Sequence, residues 1–163
     1  MKIRTLLGTG LAAAVTAAAG SLAVKPDSPF YRSLKKPPFQ PKPIVFPIVW
    51  TPLYADIAVT SAAALDRLAG PENQGQRRAL TGALAVNLAL NTGWTWLFFR
   101  ARRPWVATAE CALLAVSSAD LARRVGQADA RLGWALSPYA AWCAFATVLS
   151  GTIARMNPRS SLK

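Results

Sequence analysis

Three sets of side chains recur at helical spacing and offer the same chemistry, flat faces with a few hydrogen-bonding points. Phe46, Trp50 and Tyr54 stand at i, i+4 and i+8, so they share one helix face where a flat aromatic ligand would lie. Asn87 and Asn91 are also four apart, and Trp94 and Phe98 continue their face. Trp142, Phe145, Ala146 and Leu149 repeat at helical spacing further on, and Trp142 lies about ten residues into its apolar segment, too deep for an interfacial belt. Its indole N–H then needs an internal partner or a ligand. Together these residues describe an apolar pocket that stacks a ligand between rings and orients it with one amide and one indole. The alternative for the two asparagines is hydrogen bonding to neighbouring helices as packing glue, worth about 0.6–2 kcal/mol each. Spacing leaves both readings open.

Other chemistry is excluded or weakly supported. The chain has no histidine, which removes histidine catalysis and histidine-ligated zinc or haem. No metal site or resident cofactor is expected. Cys111 and Cys143 both fall inside apolar segments and read as small apolar packers, with no disulfide framework. Asp56 and Glu110 also lie within apolar segments, where an acid is a functional candidate by default. Neither has a nucleophile or base at useful spacing, so a true enzyme is disfavoured.

The elements that must position these residues are long and apolar. Five stretches, residues 5–24, 44–65, 79–99, 104–122 and 132–154, are of bilayer-spanning length and hold no Lys or Arg. A soluble core helix of that length shows a charged face every turn or two. The fold class is therefore all-α, an integral membrane bundle of five transmembrane helices in a single domain over residues 1–163. Residues 25–43 form the one long connection. Pro37, Pro38, Pro41 and Pro43 stiffen it and limit the entropy lost on closing over a ligand, so it is expected to act as a lid. Pro47 and Pro52 fall inside the second apolar run and are expected to kink it, freeing carbonyls at Pro43 and Ile48. Residues 125–131 are expected to connect the fourth and fifth helices.

The net charge of +12 is distributed at segment ends instead of on one face, which argues against nucleic acid. Eleven of the 19 basic residues fall in the first and third loops and the tail, favouring a cytoplasmic carboxyl terminus. Lys2, Arg4 and the apolar run from Leu6 also fit a secretory signal peptide, but the segment is read here as a retained first helix. Ala79, Gly82, Ala83 and Val86 place small residues on one face of the third helix and permit a homodimer, although packing within the monomer explains them equally well.

Four blocks, in order, resemble the translocator protein family (TspO/MBR, the peripheral-type benzodiazepine receptor). They are FYRSLKKPPFQP at residues 30–41, FPIVWTPLY at 46–54, NTGWTWLFFR at 91–100 and PYAAWCAFATVL at 138–149. The resemblance implies a five-helix membrane bundle whose cavity, capped by the first loop, binds porphyrins, sterols and synthetic aromatic amides; porphyrin or haem is the expected ligand of this chain. It puts Trp50, Asn87, Asn91, Trp94, Trp142, Ala146 and Leu149 at pocket positions, and it implies a role for Trp142 in light-dependent porphyrin breakdown. The vertebrate sterol-recognition pattern needs a Tyr where this chain has Gly151, which favours tetrapyrrole over sterol. The expectation is an intramembrane porphyrin-binding protein, in the cell membrane if the chain is bacterial. A transporter of porphyrin or sterol is the alternative.

Overall fold

A computed structural model describes residues 1–158 of the chain. Its helices are α1 (Ile3–Ala23), α2 (Pro29–Ser33), α3 (Val45–Arg67), α4 (Gln74–Thr95), α5 (Pro104–Ala128) and α6 (Ala130–Met156). The described residues contain no strand. The five long helices close into a ring in the order α1, α3, α6, α5, α4, with α5 and α6 sharing the largest interface.

α1 turns its large aliphatic residues outward. On α1, Leu7, Leu11, Val15 and Leu22 are 58–69% exposed, whereas Thr9, Ala13, Thr16, Gly20 and Ala23 face inward. Lipid solvates leucine as well as another helix does, so close approach through small residues is what holds such a bundle together. Thr9 accordingly donates to the Ala58 carbonyl across the α1–α3 contact at 2.8 Å. The far end of the same contact is tied by Asp66, which accepts from Thr5 Oγ1 at 2.6 Å and from the Lys2 backbone N–H.

Four helices, α1, α3, α5 and α6, are long and apolar enough to cross a membrane. The sequence expectation of five is met only to that extent. α4 spans 22 residues, but its first turns carry Gln74, Gln76, Arg77 and Arg78 and its middle carries two asparagines. It also begins five residues before the expected start, and its α-helical hydrogen bonding ends at Thr95, where a wider π turn takes over from Trp96 to Arg100. Arg102, with φ at 54°, completes the reversal into α5.

Two further expectations are corrected. Only one residue, Asp129, separates α5 from α6, not a loop over 125–131. Gly126 and Gly133 make this hairpin possible: a Cβ on Gly133 would lie 2.6 Å from Gly126 Cα and 3.0 Å from the Ala122 carbonyl oxygen. Asp129 then caps α6 by accepting from the Arg131 N–H and pairs with Arg67 at 2.7 Å. Pro47 sits in the first turn of α3, where a missing N–H costs nothing, and the Pro43 carbonyl accepts from the Phe46 N–H at 3.3 Å. Pro52 is the internal proline of α3. Pro138 is that of α6, and the Trp134 carbonyl it frees accepts from Ser137 Oγ at 2.8 Å.

Candidate functional site

A cavity of about 520 Å³ opens in the half of the bundle nearest the first loop. Its wall is made by the last turns of α1, the first turns of α3 and α5, and the final halves of α4 and α6. Of the residues singled out from sequence, Phe46, Trp50, Tyr54, Asn91, Trp94, Phe98, Trp142, Ala146 and Leu149 all line it.

Its rings form two walls. On the α3–α6 side, Trp50 lies 5.4 Å from Tyr54 and meets Tyr139 edge-on at 6.2 Å, while Phe46 meets Trp142 edge-on at 6.1 Å. On the α4 side, Trp94 stacks on Phe98 at 5.8 Å, and Phe99 packs against both. The π turn brings Phe98 and Phe99 to the cavity together, because a wider turn rotates the residues after Thr95 relative to an α-helical register. Nothing in the sequence marks that change of period.

Asn87 is placed differently from the expectation. It is fully buried and does not line the cavity. Its Oδ1 accepts from Tyr139 Oη at 2.7 Å, and its Nδ2 donates to Ser118 Oγ at 3.0 Å and Ser117 Oγ at 3.2 Å. Asn91 reaches the cavity, but its amide is engaged too: Oδ1 accepts from Tyr54 Oη at 2.6 Å and Nδ2 donates to Tyr139 Oη at 3.2 Å. The two amides therefore form a polar knot across α3, α4, α5 and α6 that floors the cavity. Tyr139, wholly buried at its centre, was absent from the sequence-derived site. An unpartnered buried amide costs roughly 1–3 kcal/mol, which explains why every atom of the knot is matched.

On the cavity wall what remains unmatched is indole; away from it Gln40 Oε1, Ser61 Oγ and both Glu110 carboxyl oxygens are also buried without a partner. Trp94 Nε1 and Trp142 Nε1 are buried and have no hydrogen-bond partner. By contrast, Trp96 on the outer side donates to the Ala19 carbonyl at 3.1 Å. Trp105 and Trp134 are exposed near helix starts, as an interfacial belt requires. Among the described residues, no Lys, Arg, Asp or Glu lines the cavity. Glu110 packs against α4 instead, its Oε1 placed 3.3 Å from where a Cβ on Gly93 would be. Among the described residues no group of three or more His, Cys, Asp or Glu is arranged for a metal.

Of the four loop prolines singled out from sequence, only Pro43 reaches the cavity. Pro26, Tyr31 and Pro43 line it, whereas Pro37, Pro38 and Pro41 do not. Pro37 is instead buried within the loop, its carbonyl accepting from the Gln40 N–H at 3.0 Å. Ser28 caps α2 by accepting from the Tyr31 N–H, and Tyr31 Oη accepts from Gln40 Nε2 at 2.9 Å. Burial pushes the Tyr31 phenol above its ordinary value, and Lys36 Nζ sits 4.1 Å from its ring centroid. Leu34 anchors the loop by packing with Phe98, Ala107, Leu149 and Ile153. A clasp closes it: the Lys35 N–H donates to Asn157 Oδ1, and Asn157 Nδ2 donates back to the Lys35 carbonyl, both at 2.9 Å.

Sequence reasoning also missed the contribution of α1, whose Ala17, Gly20 and Ser21 line the mouth, and the two cysteines, which are packed as expected but line the inner wall. Small residues on a helix carry no signal of which neighbour they face.

Comparison with known proteins agrees with this architecture. The sequence pattern of the TspO/MBR family matches residues 8–156. The tryptophan-rich sensory protein of Cereibacter sphaeroides is 36% identical over 149 residues, 91% of this chain and 89% of its own length. The tryptophan-rich protein TspO of Chlorobaculum tepidum is 29% identical over 150 residues, 91% of this chain and 92% of its own length. The human translocator protein is 33% identical over 130 residues, 78% of this chain and 75% of its own length. This chain, a multi-pass helical membrane protein, belongs to the TspO/MBR family.

Proposed function

We propose that the loop-side cavity binds a planar tetrapyrrole, porphyrin or haem, within a bundle whose five long helices all cross the bilayer. The observation that carries this reading is the pair of facing aromatic walls, Trp50 with Trp142 on one side and Trp94 with Phe98 on the other, around about 520 Å³. That volume lies within the range of small-molecule sites, which bury most of their ligand's surface in apolar and aromatic contacts. α4 completes the five spans because its two mid-segment asparagines are spent inside the bundle, on Ser117, Ser118, Tyr54 and Tyr139, and not turned to lipid. Trp142 is the candidate for a photochemical role, as an oxidisable ring on the cavity wall. A binding protein is favoured over a transporter, because the polar knot and the leucine core below it fill the half of the bundle that a path across the membrane would need.

The test is a tryptophan-fluorescence titration of detergent-purified protein with protoporphyrin, haem and cholesterol. Saturable quenching at one site by the tetrapyrroles, with weaker competition by cholesterol, is expected. Equal flux of porphyrin into empty and protein-containing vesicles would separate binding from transport.

A further inference from the structure

The two ends of the bundle balance their charge differently. At the first-loop end, Lys25, Arg32, Lys35, Lys36 and Lys42 lie in the loop, all of them exposed. Arg100, Arg102 and Arg103 stand in the turn before α5 and Arg155 in the last turn of α6, exposed as well. Among the described residues these nine cations face one acid, Asp27, which pairs with Arg32 at 3.3 Å. The opposite end carries eight Lys and Arg side chains, but four acids, Asp66, Glu72, Asp120 and Asp129, stand among them. Asp120 and Asp129 alone engage Arg67, Arg123 and Arg124 there. The opposite end answers much of its own charge, and the loop end does not.

These cations sit at one depth. Lys25 follows α1 by two residues, Lys42 precedes α3 by three and Arg103 directly precedes α5, so they rim the apolar spans where hydrocarbon gives way to headgroups. Large apolar side chains share that rim: Phe39 and Ile44, on either side of Lys42, are 48% and 62% exposed, and Trp105 is 48% exposed. Such interleaving suits a surface lying partly in acyl chains and partly in the phosphate layer. Loop and turn also form one continuous face, because the Arg102 guanidinium lies 5.8 Å from the Phe30 ring centroid, while Lys36 Nζ lies over Tyr31. A ring face takes up none of the hydrogen bonds that an ammonium or guanidinium group donates. None of the nine cations lines the cavity, so a molecule held there does not answer their charge.

We infer that the first-loop face is a docking surface for anionic phospholipid headgroups, whose phosphates meet Lys35, Lys36 and Lys42 of the loop and Arg102 and Arg103 of the turn, with Phe39 and Ile44 inserted beside them. A phosphodiester supplies both the negative charge and the acceptor oxygens that these groups lack. Lipid is also the phosphate source that already lies against this rim, whereas an acidic soluble protein would first have to displace the headgroups. The loop that covers the cavity is thereby the part of the chain that senses the charge of its leaflet, whatever the cavity holds.

The experiment places the full chain in vesicles and compares spin-labelled phosphatidylglycerol with spin-labelled phosphatidylcholine, reading by electron paramagnetic resonance the fraction of each held immobile at the protein. At low salt phosphatidylglycerol is expected to associate at least about threefold more strongly, and the ratio should fall toward one in about 1 M salt, where exposed charges are screened. The triple variant Lys35→Gln, Lys36→Gln and Lys42→Gln should lose at least about half of the selectivity. Arg77→Gln with Arg78→Gln, at the opposite end, should keep it. A ratio near one in the parent at low salt overturns the inference, and so does a triple variant that keeps the parent's ratio. If the Arg77→Gln, Arg78→Gln protein loses the selectivity, the opposite end is the docking face and the inference fails, a result that does not depend on the triple variant folding. Fluorescent poly-glutamate that binds the parent in phosphatidylcholine vesicles and is not displaced by added phosphatidylglycerol would make an acidic protein the occupant and overturn the inference as well.

Discussion

Near the first loop, α3, α4 and α6 contribute Trp50, Trp94 and Trp142 to an open volume, whereas at the opposite end the same helices and α5 meet through buried Leu65, Leu80, Leu121 and Leu136, with only a smaller crevice of about 200 Å³ beside Leu68, Ala79 and Arg124. The closed end also holds the Gly126–Gly133 contact, the Arg67–Asp129 pair and the Thr5–Asp66 bond. The open end leaves two indole donors unmatched and is tied down mainly through its loop. Between them lies the knot of Asn87, Asn91, Tyr54, Tyr139 and Ser118. The contrast teaches how a small membrane bundle keeps a cavity. Lipid removes the hydrophobic drive for helix association, so close packing at one end must hold what an empty volume at the other cannot.

The largest effect is expected where the closed end is tightest. Gly133→Ala puts a methyl 2.6 Å from backbone, where no side chain can yield, and should cost about 3 kcal/mol, at the upper end of overpacking penalties. Gly82→Ala, whose new methyl would meet nothing within 4 Å, should leave the melting temperature in detergent unchanged or slightly raised. If the two variants melt alike, the closed end is not what holds the bundle.

Tyr139→Phe is next. It removes the donor to Asn87 Oδ1 and the acceptor of Asn91 Nδ2, leaving two buried amide atoms unmatched at a cost of roughly 2 kcal/mol. Asn91, freed from one partner, should also shift ligand affinity. Unchanged denaturation and unchanged porphyrin titration would show that the knot neither stabilises the bundle nor shapes the cavity floor.

A smaller effect on affinity, but a qualitative one on chemistry, is expected at Trp142. Phenylalanine keeps the flat face and removes the N–H and the easily oxidised ring. Porphyrin affinity should stay within about tenfold, or 1.4 kcal/mol, while light-dependent loss of the porphyrin absorption band disappears at equal bound ligand. Bleaching at the parental rate would reduce Trp142 to a wall.

The smallest effect concerns the clasp. Asn157→Ala deletes two solvent-exposed hydrogen bonds to Lys35, each worth about 0.5 kcal/mol net, and should speed both ligand release and tryptic cleavage between Lys35 and Lys36. Equal digestion of parent and variant would mean that Leu34 and Tyr31 hold the loop without it.

Much of this was legible in the chain. Helical spacing alone brought Phe46, Trp50 and Tyr54 to one side and Trp142, Ala146 and Leu149 to another, because a regular helix converts sequence interval into direction. Asn87 and Asn91 were equally regular, yet spacing could not say that a tyrosine 48 residues beyond Asn91 would engage both amides, a pairing only tertiary structure creates. The π turn after Thr95 breaks the period on which such reasoning depends, so Phe99 was missed. The one-residue α5–α6 turn was missed because two glycines seven apart read as helix weakness until they are found to face each other.

The central claim, that the two aromatic walls form one ligand site, is tested most directly by titrating protoporphyrin into the parent and Trp50→Ala proteins and following its absorption band. Trp50 supplies a ring face at the cavity centre, and truncating such an anchor typically costs 2 kcal/mol or more, about thirtyfold in affinity. The account predicts a midpoint raised by about that factor with the bundle still folded. An unchanged midpoint in Trp50→Ala would contradict it.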